Sequence, residues 1–310
     1  MPVEAINTVP RDLLVRHLEH WTPTALRRSR RATFAQAYGG SDRGTAEATI
    51  RVFARFAGAL RGRQLTVVAL AAPDEDLTVR VGAAQAELPA EVGVHLVAGD
   101  LERMPVTLRA AGAAGAPVLA YLDATVGAAP SADTLAAVAA AGRPGEVLLV
   151  LGAQARAELD YRRILADAGF PLVTAVELVD VGATRLLVFA TSLGRSLDAF
   201  KEAMWAMDGT TGVRYRDPRD PAGEPAAISP EPPLEPLRRT LLDRLTEVGA
   251  GSVTELRQFT AAETIYRATD ALTALTGLLD AGLITREPQS GRLAGDVIIA
   301  SRSPEQPARS

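Results

Sequence analysis

Between residues 32 and 208 short β-rich runs alternate with helical apolar stripes, and the alternation ends on two β-rich runs too close together for a helix to join them. The first five runs are Ala32 to Tyr38, Leu65 to Leu70, Val92 to Ala98, Val118 to Leu122 and Val147 to Leu151. Between them lie patterns such as Ala46, Ile50, Phe53, Phe56 and Leu60, whose spacings of three and four make one apolar stripe. Such alternation argues for a parallel sheet covered by helices, because parallel neighbours need a crossover to connect them. A helix through Tyr161, Ile164 and Leu165 is followed by Leu172 to Val179 and Arg185 to Ala190, with only Asp180 to Thr184 between. So short a connection holds no crossover helix, and the pair must be antiparallel. The expected fold class is α/β: a doubly wound sheet closed by an antiparallel hairpin. Leu13 to Trp21 predicts a helix laid against this domain, and Leu197 to Met207 an amphipathic helix leaving it.

At 310 residues the chain exceeds the usual single-domain size. Residues 217–236 hold seven of its 20 prolines, and proline denies both helix and sheet hydrogen bonds, so this stretch predicts a stiff linker. The expected division is a Rossmann-like domain over 1–210, a proline-rich linker over 211–236, a small domain over 237–302 and a disordered tail over 303–310. In the small domain Leu237, Leu241, Leu242, Leu245 and Val248 form one helical stripe. Ser252 followed by Glu255 is a capping-box signature opening a second helix, and Ile265, Leu272, Leu275 and Leu279 form a third ending at Gly282. Leu283 to Glu287 and Val297 to Ala300 pair around the turn PQSGR, and three helices with a β-ribbon predict a winged helix.

Charge and composition exclude several roles. A net charge of −4 gives no general attraction to polyphosphate or anionic lipid. Over Glu235 to Arg302 eight arginines face nine acids, which argues for a protein-contact or dimerisation role over duplex binding. Cysteine is absent, so the chain offers no disulfide, thiolate metal site or cysteine nucleophile, in keeping with a reducing compartment. No stretch of 18 apolar residues without charge occurs, and the expected location is the cytoplasm.

In doubly wound domains ligands bind beyond the carboxyl ends of the strands, where the chain order reverses. The first such loop is FAQAYGGSDRG, where Gly39 and Gly40 let backbone amides approach a ligand and Gly44 opens the next helix; Ser41 stands where a dinucleotide fingerprint wants a third glycine. The second strand offers Ala72 at its tip, where a carboxylate usually accepts from a ribose diol. Asp74, two residues late, either substitutes for it or caps the following helix, the cap being favoured. Asp100 stands after the third strand where an adenine amino group would be read, and Asp123 ends the fourth. Singly each reads as a solvated strand-end acid; at successive tips they point jointly to one crevice.

Other chemistries fit less well. Ser192 in ATSLG imitates a nucleophile elbow, but His17, His20 and His95 all precede it, whereas that scheme needs a later histidine. No glycine-lysine pair forms a P-loop. Lys201, the only lysine, reads as a surface residue beside Glu202, and His17 with His20 as surface or packing residues; no metal site is expected.

The chain resembles the three-Cys-motif partner family. The resemblance rests on a first helix ending in HLEHW, the loop FAQAYGGSDRG, the stretch VFATSLGRSLDAFKEAMWAMDGTTG and the C-terminal SVTELRQFTAAETIYRATDALTALTGLLDAGLI. It implies a class I methyltransferase-like domain with a winged-helix tail, S-adenosylmethionine as cofactor, and partnership in a bacterial genome with a separate protein bearing three cysteines. Five βα units closed by a hairpin agree with that strand grammar. The chain departs from the family at Gln36, at Gly39-Gly40-Ser41, at Ala72 and at Asp123-Ala124-Thr125-Val126.

Two functions follow. One is an S-adenosylmethionine-dependent methyltransferase of unidentified substrate, with Gly39, Gly40, Asp74, Asp100 and Asp123 around the cofactor and no fixed catalytic residue. The other is a non-catalytic or repurposed scaffold that binds a protein partner through a degenerate cofactor site. A homodimer suits either.

Overall fold

The structure is a computed structural model and describes residues 2–302 apart from 159 and 208. The expected tail over 303–310 lies outside the described residues. The chain forms two compact units, Met1–Pro230 and Glu231–Ser310.

The first unit opens on α1 (Pro2–Arg28), much longer than the predicted Leu13 to Trp21. Ile6, Val9, Leu13, His17, Trp21 and Ala25 are all buried, so a stripe of threes and fours holds the helix on the sheet along nearly its whole length. Then come β1 (Arg31–Tyr38), α2 (Thr45–Val52), α3 (Ala57–Leu60), β2 (Gln64–Ala71), α4 (Glu75–Gln85), β3 (Val92–Ala98), α5 (Met104–Ala110), β4 (Ala116–Ala124), α6 (Ala132–Ala141) and β5 (Gly142–Leu151). Two short helices, α7 (Ala153–Glu158) and α8 (Tyr161–Asp167), lead to the hairpin of β6 (Leu172–Asp180) and β7 (Ala183–Thr191), and α9 (Gly194–Trp205) leaves it.

The sheet runs β3-β2-β1-β4-β5-β7-β6, with β1 to β5 parallel and β7 antiparallel to both neighbours, as the short connection requires. β1 and β4 are buried almost end to end, which is why their sequences lack the alternation of a one-faced strand. One face carries α1, α2, α4 and α9, the other α5, α6 and α8. The strand order reverses between β1 and β4, placing the switch point over Tyr38 and Asp123, which are paired in register.

The expected linker over 211–236 is partly sheet. β8 (Arg214–Arg216) pairs with β6 and β9 (Ala226–Ala227) with β8, extending the sheet at this edge. Strands of three and two residues are too short to leave a pattern, and the prolines fall in the turns around them.

The second unit contains α10 (Glu235–Val248), β10 (Ala250–Ser252), α11 (Val253–Glu263), α12 (Ala268–Asp280), β11 (Ile284–Glu287) and β12 (Ile298–Ser301), with sheet order β10-β12-β11. The Ser252 capping box forms: Glu255 N donates to Ser252 Oγ at 3.2 Å and Ser252 N to Glu255 Oε2 at 2.8 Å. α12 starts later than predicted, because Thr264 and Arg267 are extended and Ile265 is buried ahead of the helix. No described helix is long and apolar enough to cross a membrane.

Candidate functional site

β1 delivers Tyr38 to the switch point, and the chain turns there through Gly39 and Gly40. Gly39 N donates to Asp123 O at 2.8 Å, tying the turn to the tip of β4. A Cβ on Gly39 would lie 2.4 Å from Val126 O, so glycine is required by the close packing of these two loops. A Cβ on Gly40 would meet Val126 Cβ at 3.4 Å, an ordinary contact. Gly40 is therefore dispensable to packing, and its bare backbone faces the cleft.

The loop is anchored from α4. Asp42 is 3% exposed and accepts from Arg80 Nη2 at 2.8 Å, Arg80 Nη1 at 3.3 Å and Ala46 N at 3.2 Å. The hydrogen bond to Asp42 is the largest cause raising the Arg80 pKa above its usual value, so the guanidinium stays charged. Arg43 follows with φ of 49°, a left-handed backbone unusual for a residue with a side chain, and Gly44 with φ of 78° opens α2.

At the tip of β2, Ala72 and Pro73 are exposed. Asp74 caps α4, its Oδ1 accepting from Asp76 N at 2.9 Å and Leu77 N at 3.3 Å. After β3, Gly99 N donates to Ala71 O at 3.0 Å, and the Arg103 stem crosses Gly99 so closely that a Cβ there would lie 2.5 Å from Arg103 Cδ. Asp100 is exposed, with Oδ1 accepting from Glu102 N at 3.1 Å. Glu102 in turn accepts from Ser131 N at 2.8 Å, Ser131 Oγ at 2.5 Å and Thr134 Oγ1 at 2.9 Å, fixing this turn to α6. Burial alone would raise the Glu102 pKa, but those hydrogen bonds outweigh it and leave it lowered.

These tips enclose a cleft of about 360 Å³ lined by Tyr38, Gly39, Gly40, Ala72, Pro73, Gly99, Asp100 and Arg103. The Tyr38 phenol, its pKa raised first by burial and next by Tyr121, stays protonated and donates to Gln36 Oε1 at 2.7 Å. Of the five residues expected around one crevice, Gly39, Gly40 and Asp100 come together. Asp74 lines a neighbouring hollow of about 490 Å³ with Ala72, Thr78 and Leu96. Asp123 lines a separate hollow with Tyr121, Thr125, Arg43, Arg185 and the first turns of α1, its Oδ1 accepting from Thr125 N at 2.9 Å. A single crevice gathering all three aspartates is therefore not present: the β4 loop packs on the glycine turn through Val126 and divides the space.

Sequence reasoning missed Arg103, which no motif marks, and the Asp42–Arg80 clamp, whose only sequence signal is an acid in the glycine loop. It also misplaced Lys201, which is 1% exposed on the buried face of α9. His17, expected as a surface or packing residue, packs: it is fully buried beside Phe189 and Phe200, whose centroids lie 4.9 Å and 5.7 Å from its ring. Among the described residues no three His, Asp or Glu gather to hold a metal ion.

The cleft fits an adenosyl group in part. Its volume suits the ligand, Asp100 offers an exposed carboxylate to an exocyclic amine, and the Gly40 backbone is open. Nothing at Ala72 accepts from a ribose diol, and Arg103 adds a positive charge near that wall.

No protein-family model matches the chain, and no curated protein sequence matches it. Among solved structures it is similar to EvdMO1, at 14% identity and a TM-score of 0.36 over 61% of this chain, spanning 42% of that one. It is also similar to an rRNA methylase from Streptococcus thermophilus, at 13% identity and TM-score 0.32 over 56% of this chain and 95% of that one. A DUF574 family protein from Streptomyces avermitilis aligns at 13% identity and TM-score 0.34, over 59% of this chain and 82% of that one. At these TM-scores the likenesses add nothing to the fold assignment, which rests on the strand order: a Rossmann-like, methyltransferase-type sheet.

Proposed function

We propose that the chain is an S-adenosylmethionine-dependent methyltransferase of the three-Cys-motif partner family, acting on a substrate not yet identified. The observation that carries this reading is the cleft at the tips of β1, β2 and β3, beside the switch point, bounded by the bare Gly40 backbone on one wall and the Asp100 carboxylate on another. Asp100 would hold the adenine amine, and the Gly39–Gly40 turn would lie along the ligand. The bound cofactor supplies an electrophilic methyl group. The protein's part is to hold two reactants in line, which needs shape and alignment and no dedicated acid or base.

The anchoring supports this reading. Asp42 with Arg80 and Glu102 with Ser131 fix the two loops that carry Gly40 and Asp100, so the walls of the cleft are held by charged hydrogen bonds from outside it. Calorimetric titration with S-adenosylmethionine and S-adenosylhomocysteine tests it. We expect saturable heat; no heat at millimolar ligand with folded protein would refute it.

A second reading is a non-catalytic scaffold that binds a protein partner. It is favoured by Ala72 at the diol position and by the commitment of Asp74 to capping. In either reading we take the second unit as a winged helix serving protein contact, with a three-cysteine protein or a second copy of this chain as partner in a bacterial cytoplasm. Its eight arginines against nine acids argue against duplex binding. Light scattering of the full chain, alone and with that partner, distinguishes the two occupants.

A further inference from the structure

The hollow that holds Asp123 has a chemistry of its own. Two guanidinium groups face it, Arg43 from the loop after β1 and Arg185 from the start of β7, with the Tyr121 hydroxyl and the Asp123 carboxylate between them. Arg43 Nη1 donates to Asn7 Oδ1 at 2.5 Å and Arg185 Nη1 to its neighbour Thr184 O at 3.0 Å. Arg185 Nε is buried and has no acceptor. Asp42 also lines the hollow but is held by Arg80 from outside it, and neither Arg43 nor Arg185 forms an ion pair with Asp123 among the described residues, so the two guanidinium groups face one carboxylate that no cation holds, and Arg185 Nε is an unused buried donor. Burial, and next the charge of Arg43, pull the Arg185 pKa below its usual value, as expected for a cation not neutralised by a partner. Buried donors left without acceptors are uncommon in folded proteins and call for a completing partner such as a water or an ion.

From this arrangement we propose that Arg43 and Arg185 form a binding site for an oxyanion group, carboxylate or phosphate, of a second ligand distinct from the occupant of the nucleoside cleft. The two hollows share no lining residue, and the packing of Val126 O on Gly39 lies between them. The space as it stands is about 10 Å³, room for one water-sized group, so a carboxylate or phosphate tip enters only with local opening and the body of its ligand stays outside. Arg43 is exposed, and its rotation away from Asn7 would supply that opening. Guanidinium forks suit planar oxyanions, and Tyr121, whose pKa is raised first by burial and next by Asp123, keeps its proton, which it donates to Asp123 Oδ2 at 3.5 Å and would have to turn from there to reach a bound anion. That this anionic ligand is the methyl acceptor rests on the methyltransferase reading; the anion site does not.

The test uses the full chain at constant ionic strength, titrated with sodium phosphate and sodium acetate by calorimetry against a chloride control. Saturable binding is expected. It weakens at least tenfold in Arg185→Gln and at least threefold in Arg43→Gln, a surface change that leaves the fold intact. Asp123→Asn is expected to tighten it severalfold by removing the like charge, a gain that a merely structural role does not produce. Absence of saturable binding in the folded parent, or binding indifferent to both arginine changes, would overturn the site. Displacement of the anion by S-adenosylmethionine would show that the group bound is the cofactor's own carboxylate and would overturn the second-ligand assignment. Anion binding without any heat from the cofactor supports the site and removes only the methyltransferase reading.

Discussion

Gly39 and Gly40 are adjacent, and the structure gives them opposite roles. In Gly39→Ala the new Cβ would sit 2.4 Å from Val126 O and 3.2 Å from Asp123 O, both backbone atoms with no rotamer to yield. The β1 and β4 loops must part by at least about 0.6 Å to reach even a 3.0 Å contact, stretching the 2.8 Å hydrogen bond from Gly39 N to Asp123 O. Overpacking of this kind costs about 1–3 kcal/mol. Weakening a buried backbone hydrogen bond adds about 0.5–1 kcal/mol. The expected destabilisation is about 2–3 kcal/mol, or a fall of roughly 4–12 °C in Tm for a unit of this size. Gly40→Ala meets only the Val126 side chain, at 3.4 Å and beyond, and should change stability by less than about 0.5 kcal/mol. Urea denaturation of both variants beside the parent measures the difference. A Gly39→Ala protein as stable as the parent, or equal losses in the two variants, would refute the division of roles.

Ala72→Glu places a carboxylate at the tip of β2, and one charged hydrogen bond to a diol, about 1.5–3 kcal/mol, should tighten S-adenosylhomocysteine roughly tenfold or more by calorimetry; unchanged affinity in a parent that binds would remove the ribose from this wall. Arg80→Ala leaves Asp42 buried without its charge partner and, because Arg80 is partly exposed, should cost about 2–3 kcal/mol, with the Asp42→Asn, Arg80→Ala double variant losing less in chemical denaturation. The lowered Glu102 pKa means that its hydrogen bonds stabilise the fold fully above the unfolded carboxylate value of about 4.3 and are lost as pH falls through the lowered folded value. Glu102→Gln should therefore be less stable than the parent at pH 7 and converge with it in acid, as thermal melts across pH would read.

The strands were legible because a sheet covered on both faces writes uninterrupted apolar runs, and the hairpin because five residues exclude a crossover. β8 and β9 were not, since two or three residues carry no period and the surrounding prolines mask them. Gly39, Gly40 and Asp100 were picked by the rule that ligands gather at strand tips, and the structure brings these three to one cleft. The Asp123 side chain lies elsewhere: its Oδ1 accepts from the Thr125 amide two residues on, and it lines a hollow with residues of α1 more than a hundred positions away, a juxtaposition no local pattern reveals. Lys201 was read as exposed from its neighbour Glu202, yet α9 turns it inward with Phe200 and Met204. Burial of that kind depends on which face the sheet covers, which one charged neighbour does not reveal.

Crystals of the full chain grown with S-adenosylhomocysteine would locate the ligand itself. Density for the adenine beside Asp100, with the chain of the ligand running along Gly40, is the predicted result. An empty cleft in a crystal soaked at saturating ligand, or the adenosyl group bound elsewhere on the protein, would contradict the assignment of this cleft.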